Sequence, residues 1–238
     1  MKQTLVLAMG AALVLSLAID GWLTRRYAGV DLRDKVVGAR SLMAGRSLYF
    51  DPWRPGDDER FADPSVPPGA TMTRYTGTPF QALMLAPLGS LPYSTIRLTW
   101  LLIQYALMVA AALLAFRASD DRSARAMVLA AAVLAIALAS GWWRLHVERG
   151  QVYVAFAALL AGLFWSLRRE RPGLAGVLAA ILVLMKPTHA FLLLPLAWRA
   201  ERRMLLGGLS LALVAAGVFA LLPNGLRAWA EYAEAMRA

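Results

Sequence analysis

The chain has 238 residues, 59% of them hydrophobic, with a mean hydropathy of +0.54. That exceeds what soluble domains carry and predicts an integral membrane protein. There is no cysteine, which excludes a disulfide framework and thiolate or Cys-metal chemistry. The net charge of +10 does not point to nucleic acid: nine of the 25 basic residues fall in three short arginine clusters that membrane orientation explains, and no basic, aromatic RNA-binding motif is present.

Six apolar runs follow in chain order, at 4–23, 98–116, 127–143, 152–167, 174–198 and 204–222. A crossing needs about 20 mainly apolar residues, and most of the runs qualify. Lys2, the first run and Ser16-Leu17-Ala18 share features with a secretory signal, but the length of the run and Ile19-Asp20 favour a retained helix. Placing the clusters Arg117/Arg122/Arg125, Arg168/Arg169/Arg171 and Arg199/Arg202/Arg203 in the cytoplasm puts the amino terminus inside and the long 24–97 segment outside. The 174–198 run then lies between two cytoplasmic clusters. Pro187 removes a helical donor and restrains Met185-Lys186, so the run is read as two short helices meeting at 186–189 near the outer face. The total is about seven transmembrane helices. As a single span, the run would instead place Arg199–Arg203 outside.

The outer segment carries its own elements. Leu32, Val36, Ala39 and Met43 form one apolar stripe, flanked by Arg33 and Arg40, as in a helix lying in the headgroup plane. Asp31 stands at its start. By local pattern it is a helix cap, with Asp34 favouring the dipole; by position at a membrane surface it is also a candidate catalytic carboxylate. The segment 50–79 is rich in Pro, Asp, Gly and Arg and reads as an irregular loop. The 81–91 stretch, interrupted by Pro87 and Pro92, reads as a re-entrant or interfacial helix.

Lys186 is the costliest residue in its setting, at about 2.5–3.5 kcal/mol if held at the bilayer centre. It is either a snorkelling lysine at a helix end or, with His189, a phosphate-neutralising cation. Gln151 opens the fourth run and is either a helix-initiating residue or a donor to a sugar hydroxyl. Trp142, Trp143 and Tyr153 read as an interface belt, and Asp20, Arg97 and Trp100 as interfacial residues. The carboxylates lack metal-ligand spacing, so neither metal nor cofactor is expected.

The order of these features is a recognisable pattern. Asp31 is followed by Ala44-Gly45-Arg46-Ser47-Leu48-Tyr49, then by Tyr75-Thr76-Gly77-Thr78-Pro79-Phe80, Ala86-Pro87-Leu88 with Leu91-Pro92, and Trp100. Gly150-Gln151-Val152, Ala175-Gly176 and Lys186-Pro187 complete it. The chain resembles glycosyltransferase family 87, polytopic enzymes of glycosyltransferase superfamily C. The resemblance implies inverting transfer of a mannosyl- or arabinosyl-type sugar from a polyprenyl-phosphate donor on the extracytoplasmic side. It also implies a catalytic carboxylate in the first outer loop, at the position of Asp31. The chain departs from the family pattern at Tyr153, where Asn is common, and at Gly77-Thr78-Pro79, where the tyrosine segment usually continues into a Pro pair. Family members are commonly longer, so residues 1–238 are expected to be a single membrane domain corresponding to the shared module.

On this reading Asp31 deprotonates the acceptor hydroxyl, Lys186, His189, Arg33 and Arg40 hold the donor phosphate, and Gln151, Tyr75 and Asp34 contact substrate. The partners are a polyprenyl-phosphate sugar, a glycolipid or glycan acceptor and the bilayer of a bacterial inner membrane. The alternatives are a non-enzymatic lipid-linked-sugar transporter, a partner subunit, or an inactive truncated transferase.

Overall fold

A computed structural model of the chain describes residues 2–27, 29–51, 53, 56, 58–61, 75–119, 123–198 and 201–237. All regular structure among them is helical: α1 (Lys2–Arg26), α2 (Val30–Met43), α3 (Pro79–Leu85), α4 (Tyr93–Ala118), α5 (Ala124–Ala139), α6 (Gly141–Arg149), α7 (Tyr153–Arg168), α8 (Pro172–Met185), α9 (His189–Trp198), α10 (Arg202–Leu221) and α11 (Gly225–Ala235), with 3₁₀ turns at Glu59–Phe61 and Ala86–Leu88. The helices divide into two compact units. The first is Met1–Val30 with Tyr93–Arg171, and the second is Asp31–Pro92 with Pro172–Ala238.

In the first unit Leu101 and Tyr105 of α4 pack with Leu134 and Leu138 of α5, Trp143 and Val147 of α6 and Val154 of α7. The 144–151 segment, which separates two of the apolar runs, is mostly helix α6. Ser140 makes the junction. Its hydroxyl donates to the carbonyl of Ala137 (2.7 Å) and accepts from the amide of Trp143 (3.1 Å), closing α5 and opening α6 at a 59° bend. Gly150, at φ +71°, ends α6 in the left-handed conformation that glycine adopts without steric cost.

Four residues expected at an interface turn inward. Asp20 is fully buried: its Oδ2 accepts from the Tyr105 hydroxyl (2.5 Å) and Trp143 Nε1 (2.7 Å), and its Oδ1 pairs with Arg144. Arg97, also buried, donates to the carbonyls of Thr24 and Tyr27 at the end of α1 and of Val147 and Glu148 at the end of α6. It thereby satisfies acceptors that the two helix ends leave open. Trp143 and Trp100 are buried, whereas Trp142 and Tyr153 are exposed, as a belt requires.

In the second unit α8 lies against α10 at backbone distance. A Cβ on Gly176 meets the Met204 carbonyl, and one on Gly207 meets the Gly173 carbonyl. Small residues at such a crossing let two apolar helices gain close packing where lipid supplies no hydrophobic drive. Helix α2 differs from its expected role. Leu32, Val36 and Ala39 are buried by protein, while Met43, the fourth residue of the stripe, is exposed. Arg33, Lys35, Gly38 and Ser41 are buried as well. A helix enclosed on several sides is embedded in protein rather than floating apolar face down in headgroups.

Two helices, α4 and α10, are long and apolar enough to cross a membrane, and a third span results if the bent pair α5–α6 is counted as one. The first apolar run forms the 25-residue α1. The expected break in the 174–198 run is observed, since α8 stops at Met185 and α9 starts at His189. With 14 residues α8 is about 21 Å long, short of the roughly 30 Å hydrocarbon core. Among the described residues, length and composition thus identify two or three candidate spans, and the seven expected crossings are not established.

Candidate functional site

Helix α2 places two carboxylates and two cations within two turns. Asp31 is in the first turn of the helix rather than ahead of it as a cap, and it is half-buried. Its charge still lies at the positive end of the helix dipole. The buried Lys35 Nζ donates to the backbone carbonyl of Asp31 at 3.0 Å. Burial pushes the Lys35 ammonium below its usual range, while the nearby charges of Asp34 and Asp31 act in the opposite direction. Asp34 Oδ2 accepts from both the amide (3.3 Å) and the hydroxyl (3.1 Å) of Thr76. Burial raises the Asp34 carboxyl to about 6, with a smaller push from Asp31; Lys35 and the two Thr76 bonds oppose the rise.

The segment held by Asp34 is the tyrosine motif. The Tyr75 hydroxyl donates to the Thr78 carbonyl and the Tyr49 hydroxyl to the Gly77 carbonyl, both at 2.8 Å. The rings of Tyr49 and Tyr75 lie 5.6 Å apart, and Tyr232 of α11 lies 5.9 Å from Tyr49. Two glycines make room for this cluster. A Cβ on Gly38 would approach the Tyr75 ring to 2.5 Å, and one on Gly77 would approach the Tyr75 hydroxyl to 2.5 Å. Burial raises both buried phenols further above their ordinary range, so they act as neutral donors.

The motif continues into α3, whose amino terminus is capped by Thr78 with Pro79 in the first turn. The Thr78 hydroxyl donates to the Leu184 carbonyl at 2.7 Å, and Gln81 Nε2 donates to the Met185 carbonyl at 2.5 Å. These carbonyls close α8 immediately before Lys186-Pro187. Lys186 is half-buried. His189 turns its backbone amide to the Lys186 carbonyl (2.9 Å), and its Nδ1 lies 3.2 Å from the Leu182 carbonyl. A carbonyl only accepts, so Nδ1–H is the donor in this contact.

The structure thus links Asp34, Tyr75 and the Lys186 break through consecutive bonds in the second unit. Arg33 is buried on α2. Arg40 is engaged with backbone: Nε donates to Gly89 (2.8 Å), Nη1 to Arg60 (2.9 Å) and Nη2 to Leu91 (3.0 Å). It borders a cleft of about 610 Å³ with Arg60 and Phe61. Gln151 belongs to the first unit, where its backbone carbonyl accepts from Gln104 Nε2 at 3.2 Å. Sequence reasoning assigned no role to Lys35, Tyr49, Thr76, Thr78 or Gln81. The pair Thr78-Pro79 carried a usable signal, a hydroxyl N-cap followed by a first-turn proline. The partners on α2 and α8 carried none.

A family model described as glycosyltransferase family 87 matches residues 75–238. No curated protein and no solved structure matches the chain. The matched span includes the tyrosine motif, Gly150-Gln151 and the Lys186-Pro187 break, while α2 with Asp31 and Asp34 precedes it. Matched over well more than half its length and built of apolar helices, this membrane protein belongs to glycosyltransferase family 87.

Proposed function

We propose that the protein transfers a mannose-like sugar from a polyprenyl-phosphate donor to a glycolipid or polysaccharide acceptor on the extracytoplasmic face of a bacterial inner membrane. The amino terminus is cytoplasmic in this reading. The observation that supports it best is the bonded path from α2, which carries Asp31, through Asp34 and Thr76 to the helix end at Lys186. It ties a carboxylate-bearing helix to a lysine at a break in an apolar run, as a base and a phosphate-neutralising cation require.

Asp31 takes the proton of the acceptor hydroxyl while that oxygen bonds to the anomeric carbon. The bond from the anomeric carbon to the phosphate oxygen breaks on the opposite face, and the polyprenyl phosphate leaves with the electron pair. Configuration inverts. The leaving group is already an anion, so it needs charge stabilisation more than protonation. Lys186 supplies it, with His189, Arg33 and Arg40 contributing. Arg40 has less to offer, because three of its N–H groups already serve carbonyls. Asp34 contacts a sugar hydroxyl.

The test is transfer from a panel of polyprenyl-phosphate sugars. Asp31→Asn is expected to lower the rate by about 10²–10⁴-fold at an unchanged melting temperature, which is the usual worth of general-base help. Folded Asp31→Asn protein transferring at the wild-type rate would overturn the mechanism. One observation favours a second reading. Besides the break at Lys186, the first unit has its own bent pair at Ser140, and paired broken helices are a transporter trait. Movement of lipid-linked sugar across vesicles without transfer would establish that reading instead.

A further inference from the structure

We infer that Thr78 and Gln81 are positioning residues that set the place of Lys186 by completing the end of α8. The inference rests on the proposed role of Lys186 at the leaving phosphate.

A helix ends with four carbonyls that lack an intrahelical donor. Here the continuation is blocked at Pro187, which has no N–H. In an uninterrupted helix Leu184 and Met185 would accept from the amides of Thr188 and His189. The amide of His189 turns to Lys186 instead. Thr78 and Gln81 replace the missing donors at 2.7 and 2.5 Å, and both side chains are buried, at 3% and 8% exposure. Thr78 also accepts from the Gln81 amide at 3.3 Å, so one hydroxyl closes α8 and opens α3. A buried acceptor left unsatisfied is costly.

The backbone of Lys186 follows directly on the Met185 carbonyl. Its position is therefore set relative to α3, not by the 174–198 run alone. Asp34 ties Thr76, two residues ahead of Thr78, to α2. The place of Lys186 is thus registered on the helix that carries Asp31. Neither Thr78 nor Gln81 needs to touch substrate for this. Each acts by limiting the drift of an ammonium group on a long, flexible stem.

A double-mutant cycle separates this role from a merely structural cap. Thr78→Val keeps shape and removes the donor, and Thr78→Ser keeps the donor. We expect Lys186→Ala and Thr78→Val each to lower kcat by about ten- to a hundredfold, the scale of a small misplacement of a reacting group. Acceptor KM should stay unchanged and Thr78→Ser should restore the rate. Thr78→Val added to Lys186→Ala should cost nothing further. If Lys186→Ala transfers at the wild-type rate, the assignment of Lys186 itself is wrong. If Lys186→Ala is slow but the two effects multiply, Lys186 stands and the positioning role falls. Gln81→Met repeats the cycle at the second bond. Should neither Thr78→Val nor Gln81→Met give folded protein, the bonds serve the fold alone and the inference is rejected.

Discussion

Replacing Asp34 by Asn should make the protein more stable at neutral pH and slower at transfer. The native carboxyl is raised to about 6 from 3.8, chiefly by burial. Between those values the native state holds a proton that the unfolded chain has released, so stability falls as pH rises through this window. Below about pH 4 both states are protonated and the penalty vanishes. Above pH 6 it is complete, and at about 1.4 kcal/mol per pH unit it reaches about 3 kcal/mol. Asn keeps a carbonyl oxygen for the two Thr76 donors and cannot ionise. Thermal unfolding in detergent at pH 4 and pH 7.5 tests this. The variant should melt about 6–12 °C above wild type at pH 7.5, and level with it at pH 4. Transfer should fall in the same variant, because a carboxylate kept at a stability cost is expected where function needs it. Equal melting curves at both pH values, or a variant less stable at pH 7.5, would refute the reasoning.

Other outcomes follow from packing and from the buried polar groups. Gly176→Leu or Gly207→Leu should prevent the close crossing of α8 and α10, since even a Cβ meets backbone there; size-exclusion profiles should show loss of monodisperse protein. Arg40→Lys should destabilise nearly as much as Arg40→Ala, because a single ammonium cannot reproduce three donors aimed at Gly89, Arg60 and Leu91. The cost, of the order of 2–4 kcal/mol, is readable by thermal scan and by protease sensitivity. Asp20→Ala should cost about 3–5 kcal/mol by stranding Arg144 and the Tyr105 and Trp143 donors. Asp20→Asn, which keeps an acceptor oxygen, should recover part of the loss.

The boundaries of most helices were legible because their causes are local. Apolar runs set α4 and α10, Pro187 ends the stretch that begins at α8, and the period of Leu32, Val36 and Ala39 marks α2. The sequence could not say which surface that stripe meets, and it meets protein. The break at Ser140 was missed because a capping serine inside an apolar run leaves the hydropathy unchanged. Asp20, Arg97 and Trp143 were misplaced for a related reason: a polar residue near the end of a run looks interfacial unless its partner is known, and Arg144 is 124 positions from Asp20.

The same division runs through the candidate site. Residue types and chain order were enough to nominate Asp31, Tyr75 and Lys186 and to identify the family to which the chain belongs. Only the folded structure joined Asp34 to Thr76 across 42 positions and Thr78 to Leu184 across 106. Helix formation and membrane preference follow from the transfer energies and hydrogen bonds of neighbouring residues. The environment of a carboxylate or a lysine is instead set by whatever distant backbone or side chain is packed against it, and that is a property of the tertiary fold.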